Sequence, residues 1–444
     1  MTSLTTTTLI LITPYNPEQR DLAIQLELSS LQRNYQIVET SIHAAISNLS
    51  NRSNPSYQTL MDTLQNRMNV QKVLYLHNMK VIKYITSKVK ISNIIHLAQK
   101  SNPNPSVKPK DQKNAIVPCG GSYLLKGLER DYGTNPSPTS NDLTVTLLNH
   151  WYPIYLQQKV HTTTETENVI PGVEEDGATT NTIHIPLRIL LPGVGLCGLM
   201  SHLIKWCNET NTNGSNNSNN SNNSNNSNNS KSSSNSKSSS NSRSICIDGC
   251  DTSYSSLVLG AGMLCMRSQE ENQEKPIYIY PEASLTSCTS TPNQSIPLQT
   301  SVESTSPESS TPENKSSVVI RLFHQSLQKM LESNTMRTNY DIVITQFYLD
   351  ATENIISSIF NITSSLKKGG LWINVGPLKY HGYHNTESQP RLNWDEVILL
   401  CESMPGITVL HSDQIENVKY TQKNVSSTID TETYTCCVLV AVVN

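Results

Sequence analysis

The sequence RILLPGVGLCG at residues 188–198 decides the fold. Residues 188–192 form a largely apolar run that ends in proline, which is typical of a short buried strand. Gly193, Gly195 and Gly198 then fit the pattern G-x-G-x-x-G in front of a predicted helix. Glycine allows a tight turn and a close approach to a ligand, and a helix amino terminus favours anionic groups. By itself, the motif also fits a dinucleotide site or a simple strand-to-helix turn.

Strands and helices alternate along the chain after this loop. A helix is predicted at residues 354–366 and another around 394–401. Apolar runs predict strands at residues 188–192, 244–248, 317–321, 340–345, 371–375 and 437–443. Such alternation indicates a mostly parallel sheet that is covered on both faces. The predicted fold class is therefore α/β, with a Rossmann-like sheet.

The rest of the chain divides by composition. Residues 1–110 show apolar positions at helical spacing and are predicted to be a helical accessory region. Residues 111–185 form a connecting segment, and residues 186–444 form the α/β core. Two stretches within the core, 208–241 and 284–317, lack the apolar residues needed to offset the entropy of ordering, and we predict that both are disordered insertions.

Charge and composition exclude several classes of protein. The chain has 444 residues and a formal net charge of −3, which argues against a dedicated nucleic-acid-binding protein. No apolar run approaches the ~18 residues that span a membrane, and residues 9–12 are too short for a signal peptide. The ten cysteines match no zinc pattern, so no metal is predicted. These features predict a cytoplasmic protein and leave a nuclear location open.

An acidic residue is expected about 20 positions after such a glycine loop, where it would bind ribose hydroxyls. Asp251 stands 58 positions after Gly193, and removing the 34 residues of 208–241 leaves 24. Asp248 is the rival candidate, but we expect it to lie at the end of the strand. The insertion therefore hides an ordinary spacing.

The sequence LKKGGLWIN at residues 366–374 supplies a third signal. A helix that ends in Gly-Gly before an apolar strand is a common helix-to-strand turn. Its place after the strand at 340–345 resembles the LKPGG turn of class I methyltransferases. The three signals together favour a methyltransferase over a nicotinamide-dependent oxidoreductase.

Longer motifs resemble those of the carnosine N-methyltransferase family. The chain carries PGVGL, DGCDTSYSSL, YDIVITQFYLDATENI and GGLWINVGPLKYH. The family strings are PGAGLGRL, GNEWSFFML, WDCIATCFFIDTAHN and GGIWINLGPLLYH. The resemblance implies S-adenosyl-L-methionine as cofactor and the imidazole of carnosine or of a related short peptide as substrate, with anserine as the product from carnosine.

The resemblance also implies a set of site residues. Arg130 in the connecting segment would reach the methionine carboxylate of the cofactor. The remaining cofactor residues would be Gly193, Gly195, Asp251, Gln346 and Phe347. The substrate residues would be Asp350, His381, Tyr420 and Tyr434.

Asp350 and His381 are the predicted catalytic pair. Asp350 would accept the N–H of one imidazole nitrogen, and His381 would orient the ring or relay the proton. The alternatives are a helix N-cap for Asp350, a loop histidine for His381, and core packing for Tyr420 and Tyr434.

Several positions depart from the family pattern. These are Gly127, Cys197, Cys250, Asp251 and residues 322–324. They leave open a non-catalytic protein with a methyltransferase fold, in which the helical region and the insertions make contacts with partners.

The partner expected for an enzyme is a small peptide substrate. No nucleic acid and no membrane are expected as partners. The sequence allows a homodimer.

Overall fold

The computed structural model describes residues 8–13, 17–52, 54–89, 121–133, 140–166, 186–213, 244–267, 277–280, 295–298, 318–332, 336–380, 390–420 and 433–444. The helices are α1 Pro17–Ser50, α2 Gln58–Ser87, α3 Gly121–Tyr132, α4 Ser140–Thr166, α5 Gly198–Asn213, α6 Tyr254–Arg267, α7 Leu327–Glu332, α8 Ile355–Ser365 and α9 Trp394–Ser403. The strands are β1 Thr8–Thr13, β2 Leu187–Pro192, β3 Ile245–Asp251, β4 Ile277–Ile279, β5 Ile296–Leu298, β6 Val318–His324, β7 Tyr340–Gln346, β8 Leu366–Gly376, β9 Ile407–Lys419 and β10 Thr433–Val443.

One eight-stranded sheet organises these elements, in the order β1-β6-β3-β2-β7-β8-β10-β9. The six strands from β1 to β8 in this order pair in parallel, whereas β10 runs antiparallel to β8 and β9. Helices cover both faces, as two apolar clusters on opposite sides of the strands show. The predicted Rossmann-like α/β fold is confirmed.

The direction of strand addition reverses at β2. The chain passes from β2 outward through β3 to β6, and then returns to place β7 on the other side of β2. The helices that follow β2 and β7, α5 and α8, therefore pack on opposite faces of the sheet. In open α/β sheets this switch point forms a crevice at the carboxyl ends of the strands, where ligands bind.

Three boundaries differ from the sequence prediction. Asp248 lies in the middle of β3, and Asp251 is the last residue of that strand. Helix α8 ends at Ser365, and β8 begins directly at Leu366. Gly369 does not cap the helix; its φ of 73° accommodates a register shift between β7 and β8. The edge strand β9 was not predicted, because its alternation of polar and apolar residues is weak.

The N-terminal region is helical, as predicted, but it also contains a strand that the sequence did not predict. Strand β1 pairs in parallel with β6 and extends the main sheet by one strand. Its sequence, TLILIT, is apolar and β-branched, and the free edge of β6 offers backbone hydrogen bonds. Helices α1 and α2 pack on each other and on α6. The accessory region is therefore continuous with the core.

Both predicted insertions contain ordered segments. Helix α5 continues to Asn213, so the first insertion does not begin at residue 208. Within 284–317, strand β5 pairs with β4. The neighbouring Tyr280 exchanges two hydrogen bonds with the Asn78 side chain of α2. The remainder of both stretches lies outside the described residues. Within the described residues, no helix is long and apolar enough to cross a membrane.

Gly262 is the closest contact between α6 and the N-terminal helices. A Cβ at this position would collide with the backbone carbonyl of Ile85 in α2. We expect Gly262→Ala to lower the free energy of unfolding by about 1–3 kcal/mol, because a backbone atom cannot rotate away. Chemical denaturation measures this loss. Gly127→Ala is the matched control, since its Cβ would meet only the tip of the Leu196 side chain; an equal loss in both variants would contradict the prediction.

Candidate active site

The glycine loop after β2 is tied to the end of β3. The amides of Gly193 and Val194 both donate to the carbonyl of Cys250, at 2.8 and 3.2 Å. The amide of Gly195 donates to Oδ2 of Asp251 at 2.9 Å. The two residues that the sequence predicted on opposite sides of the long insertion are thus hydrogen-bonded.

The surroundings of Asp251 suit a polar ligand. Its Oδ1 accepts the Ser253 amide at 2.7 Å. Burial raises the pKa of Asp251, and the amide hydrogen bonds from Ser253 and Gly195 act in the opposite direction. Each carboxylate oxygen retains capacity for a further donor. At Gly195, whose φ is 53°, no atom lies within 4 Å of the position that a Cβ would occupy, so this side of the loop is open.

The loop after β7 meets the glycine loop through Tyr348. The ring of Tyr348 lies against Gly193, 2.7 Å from the point where a Cβ would stand. Gly193 also adopts a φ of 66°, so both its backbone conformation and its contact require glycine. This contact brings the loop that carries Asp350 onto the loop that is held by Asp251.

The predicted adenine residues lie at the same edge. Gln346 ends β7, and its Nε2 donates to the Thr144 hydroxyl of α4 at 3.2 Å. Phe347 adopts a φ of 51°, and its amide donates to the carbonyl of Val375 in β8 at 3.0 Å. A phenylalanine at positive φ is uncommon, and such strain concentrates at functional sites.

Three aromatic rings form a cluster beside this loop. The Phe347 and Tyr420 ring centroids are 4.8 Å apart, Tyr420 and Tyr434 are 5.1 Å apart, and Phe347 and Tyr434 are 5.9 Å apart. Two cations flank the cluster. Arg130 lies 4.9 Å from the Tyr420 centroid, and Lys379 Nζ lies 3.7 Å from the Tyr434 centroid. The two predicted substrate tyrosines are therefore brought together with a predicted cofactor residue.

Arg130 is held by its neighbours in α3 and after β9. Its Nε and one terminal nitrogen donate to the two carboxylate oxygens of Asp131, and the other terminal nitrogen donates to the Tyr420 hydroxyl at 2.7 Å. Asp131 in turn packs against Gly198 at the amino terminus of α5, where a Cβ would collide with the carboxylate. The guanidinium therefore lies at the glycine loop, and its contact with the methionine carboxylate remains a prediction.

Asp350 is buried in the loop after β7. Its Oδ2 accepts the amide of Lys379, which follows β8, at 3.0 Å. The alternative role as a helix N-cap is wrong, because the side chain of Asn354 caps α8 by accepting the Ser357 amide. His381 lies outside the described residues, which end at Tyr380 on this side.

Two of the positions that depart from the family pattern are Cys197 and His324. The thiol of Cys197 is packed in the interior and is neutral. Cys197 has a φ of 63° and is fully buried, and burial raises its pKa well above the ordinary value. A thiolate nucleophile is therefore excluded at this position. His324 of β6 contacts the Thr252 carbonyl at 3.1 Å and the Tyr254 ring, and burial lowers its pKa. The edge of the sheet next to Asp251 thus carries a half-buried imidazole.

Sequence reasoning missed four residues of the site. Asp131, Tyr348 and Lys379 each adjoin or lie near a predicted residue, in LERDY, QFYLD and GPLKYH. Their closeness in the sequence to predicted site residues was the signal that could have found them. Thr144 had no signal, because its helix was treated as part of a connecting segment.

Comparison with known proteins supports the resemblance. Residues 245–444 match the family model described as carnosine N-methyltransferase. A carnosine N-methyltransferase of Schizosaccharomyces pombe is 32% identical over 90 residues, which cover 18% of this chain and 24% of that protein. The carnosine N-methyltransferase unmet of Drosophila melanogaster is 33% identical over 85 residues, covering 19% and 18%. The aligned segments thus span at most about a quarter of these relatives. The predicted resemblance is confirmed for the C-terminal part of the chain.

Among solved structures, the magnesium protoporphyrin IX methyltransferase of Synechocystis, with bound S-adenosylmethionine, is similar at 10% sequence identity and a TM-score of 0.28. The match covers 70% of this chain and 100% of that one.

Proposed function

We propose that this protein is an S-adenosyl-L-methionine-dependent N-methyltransferase that acts on the imidazole of carnosine or of a related histidine-containing peptide. The observation that carries the proposal is the convergence of two carboxylates at the switch point of the sheet. Asp251 holds the glycine loop through Gly195, and the loop with Asp350 closes on the same glycine loop through Tyr348. The family match over residues 245–444 supports the same reaction.

The residues at the glycine loop fit the cofactor. The open side of Gly195 permits a close approach, and the half-buried Asp251 offers acceptor positions for ribose hydroxyls. The ring of Tyr348 borders the glycine loop, where an aromatic face suits an adenine or a sulfonium. S-adenosylmethionine supplies an electrophilic methyl group on a positively charged sulfur. Among the described residues, no cluster of three or more His, Cys, Asp or Glu side chains could hold a metal ion.

Asp350 is the residue that would orient the imidazole of the substrate. An imidazole has a pKa near ~6.5 and is largely neutral at cytosolic pH, so it needs orientation more than deprotonation. When Asp350 accepts the N–H of one ring nitrogen, the lone pair of the other nitrogen is fixed in direction. That nitrogen would form a bond to the methyl carbon as the carbon–sulfur bond of the sulfonium breaks and the sulfur leaves as a neutral thioether. The proton on the first nitrogen would leave afterwards. His381 remains the predicted partner for that proton.

For carnosine, the product of this reaction is anserine. The aromatic cluster of Phe347, Tyr420 and Tyr434 supplies a wall for the peptide, beside the loop of Asp350. A cytoplasmic location fits a small-peptide substrate and is part of the proposal.

Incubation with methyl-labelled S-adenosylmethionine and carnosine tests the proposal. We expect a labelled product with the mass and fragmentation of a dipeptide methylated on its imidazole. Binding of NAD instead of S-adenosylmethionine would support an oxidoreductase. Binding of S-adenosylmethionine without transfer to any histidine-containing peptide would support a non-catalytic protein, and either result would overturn the proposal.

Asp251→Ala is expected to weaken cofactor binding by about 10- to 100-fold, because hydrogen bonds to a charged group are lost. The Gly195 amide also loses its acceptor. Isothermal titration with S-adenosylmethionine measures the change in Kd, and saturating cofactor should restore most of kcat. Asp395→Ala, on the surface of α9, is the control. An unchanged Kd in Asp251→Ala would refute the assignment.

A further inference from the structure

Lys379 joins the candidate catalytic carboxylate to the aromatic cluster. Its amide donates to Oδ2 of Asp350 at 3.0 Å, and its ammonium lies 3.7 Å from the Tyr434 ring centroid. The Tyr434 side chain is buried, whereas Lys379 is exposed. The backbone of Lys379 is therefore fixed at the base of the site, and its charge points along the wall towards solvent.

The two cations of the cluster differ in their ionic partners. The Arg130 guanidinium is already paired with both carboxylate oxygens of Asp131. For Lys379, no carboxylate lies within ion-pair distance among the residues that the structure describes. A ring face attracts an ammonium but leaves its N–H groups available. Lys379 therefore has the capacity to bind an anion at the site.

The position also separates this chain from the family motif. The family string GPLLYH has leucine where GPLKYH places Lys379. The added ammonium lies over the face of the Tyr434 ring, which attracts a cation.

We propose that Lys379 determines substrate specificity by binding the free carboxylate of a C-terminal histidine. The inference rests on the proposed function and deepens it. In histidine, three bonds separate the carboxylate carbon from the ring. An imidazole that donates to Asp350 therefore holds its carboxylate within reach of the side chain that follows the Asp350-bound amide. The same charge repels an N-terminal ammonium, so the substrate class is the X-His peptide rather than the His-X peptide or an internal histidine.

Steady-state kinetics with carnosine and with its carboxamide test this assignment. We expect the wild-type enzyme to prefer carnosine by roughly tenfold or more in kcat/KM, mainly through KM, because the amide loses a charge-assisted hydrogen bond. Lys379→Leu should raise KM for carnosine by roughly tenfold and leave KM for the carboxamide unchanged. In both cases kcat should change little, and Lys379→Arg should retain the preference. Lys368→Leu, at the opposite end of β8, is the matched control.

The possible outcomes separate this inference from the proposed function. Equal use of carnosine and its carboxamide by the wild-type enzyme would overturn the role of Lys379 while leaving the methyltransferase activity established. An equal loss on both substrates in Lys379→Leu would do the same, because it would indicate a structural role. If the wild-type enzyme methylates neither compound, the proposed function fails and the inference fails with it.

Discussion

Asp350→Asn is expected to lower kcat by about 10²- to 10⁴-fold, the range in which a positioned acid–base group contributes. Asparagine has nearly the same shape and retains an oxygen that can accept the Lys379 amide. The loop should therefore stay folded, while the carboxylate that fixes the imidazole tautomer is lost. The Kd for S-adenosylmethionine should change little, because the glycine loop is held by Asp251 and not by Asp350.

Single-turnover kinetics with labelled cofactor, together with calorimetric binding, separate the two effects. Asp413→Asn, on the exposed edge strand β9, is the matched control and should behave like the wild type. A parallel loss of binding and turnover in Asp350→Asn would show that Asp350 supports the loop rather than the substrate. Full activity in Asp350→Asn would show that Asp350 has no catalytic role.

Asp248→Asn is expected to cause the largest loss of stability, about 3–5 kcal/mol, as is typical when one member of a buried ion pair is removed. Asp248 is completely buried in β3 and accepts from Arg321, from Arg188 at 3.2 Å and from the Tyr340 hydroxyl at 2.8 Å. Removing its charge leaves the two half-buried guanidinium groups without this counter-ion. These contacts link β3 to β2, β6 and β7.

Denaturant unfolding measures this effect. Asp62→Asn, which is exposed on α2, should change the free energy of unfolding by less than about 0.5 kcal/mol. A similarly small change for Asp248→Asn would mean that water or a rearranged partner replaces the carboxylate. The result also decides between the two aspartates of β3, because Asp248 should affect folding and Asp251 should affect cofactor binding.

The distinction between these aspartates shows where sequence reasoning succeeded. The spacing corrected for the insertion selected Asp251, and the hydrogen bond from Gly195 places it at the loop. The expected position of Asp248 at the strand end was wrong by three residues, since β3 continues to Asp251. Strand ends are poorly defined by apolar runs, because a polar residue can remain in the strand when a partner in the sheet satisfies it.

Strand β1 is an element that sequence reasoning did not predict. Its apolar sequence was noted, but only as a segment too short for a signal peptide. Pairing with β6 joins residues about 310 positions apart, as in the register of Ile10 with Ile320. Nothing local distinguishes an apolar strand that closes the edge of a distant sheet from one that packs under a helix, so the strand within the helical region was not predicted.

The sequence by itself determined the class of fold, the glycine loop and the order of the strand-end motifs. These features depend on local backbone preferences and on apolar periodicity, both of which are set by residues close together in the sequence. The tertiary structure alone decided which side chains meet. Arg130 contacts Tyr420 across 290 positions, and Lys379 contacts the Tyr434 ring from a loop in a different part of the chain. Such contacts depend on strand order and on the packing of helices against the sheet. For that reason the charge of Lys379 becomes a feature of the site only in the folded chain.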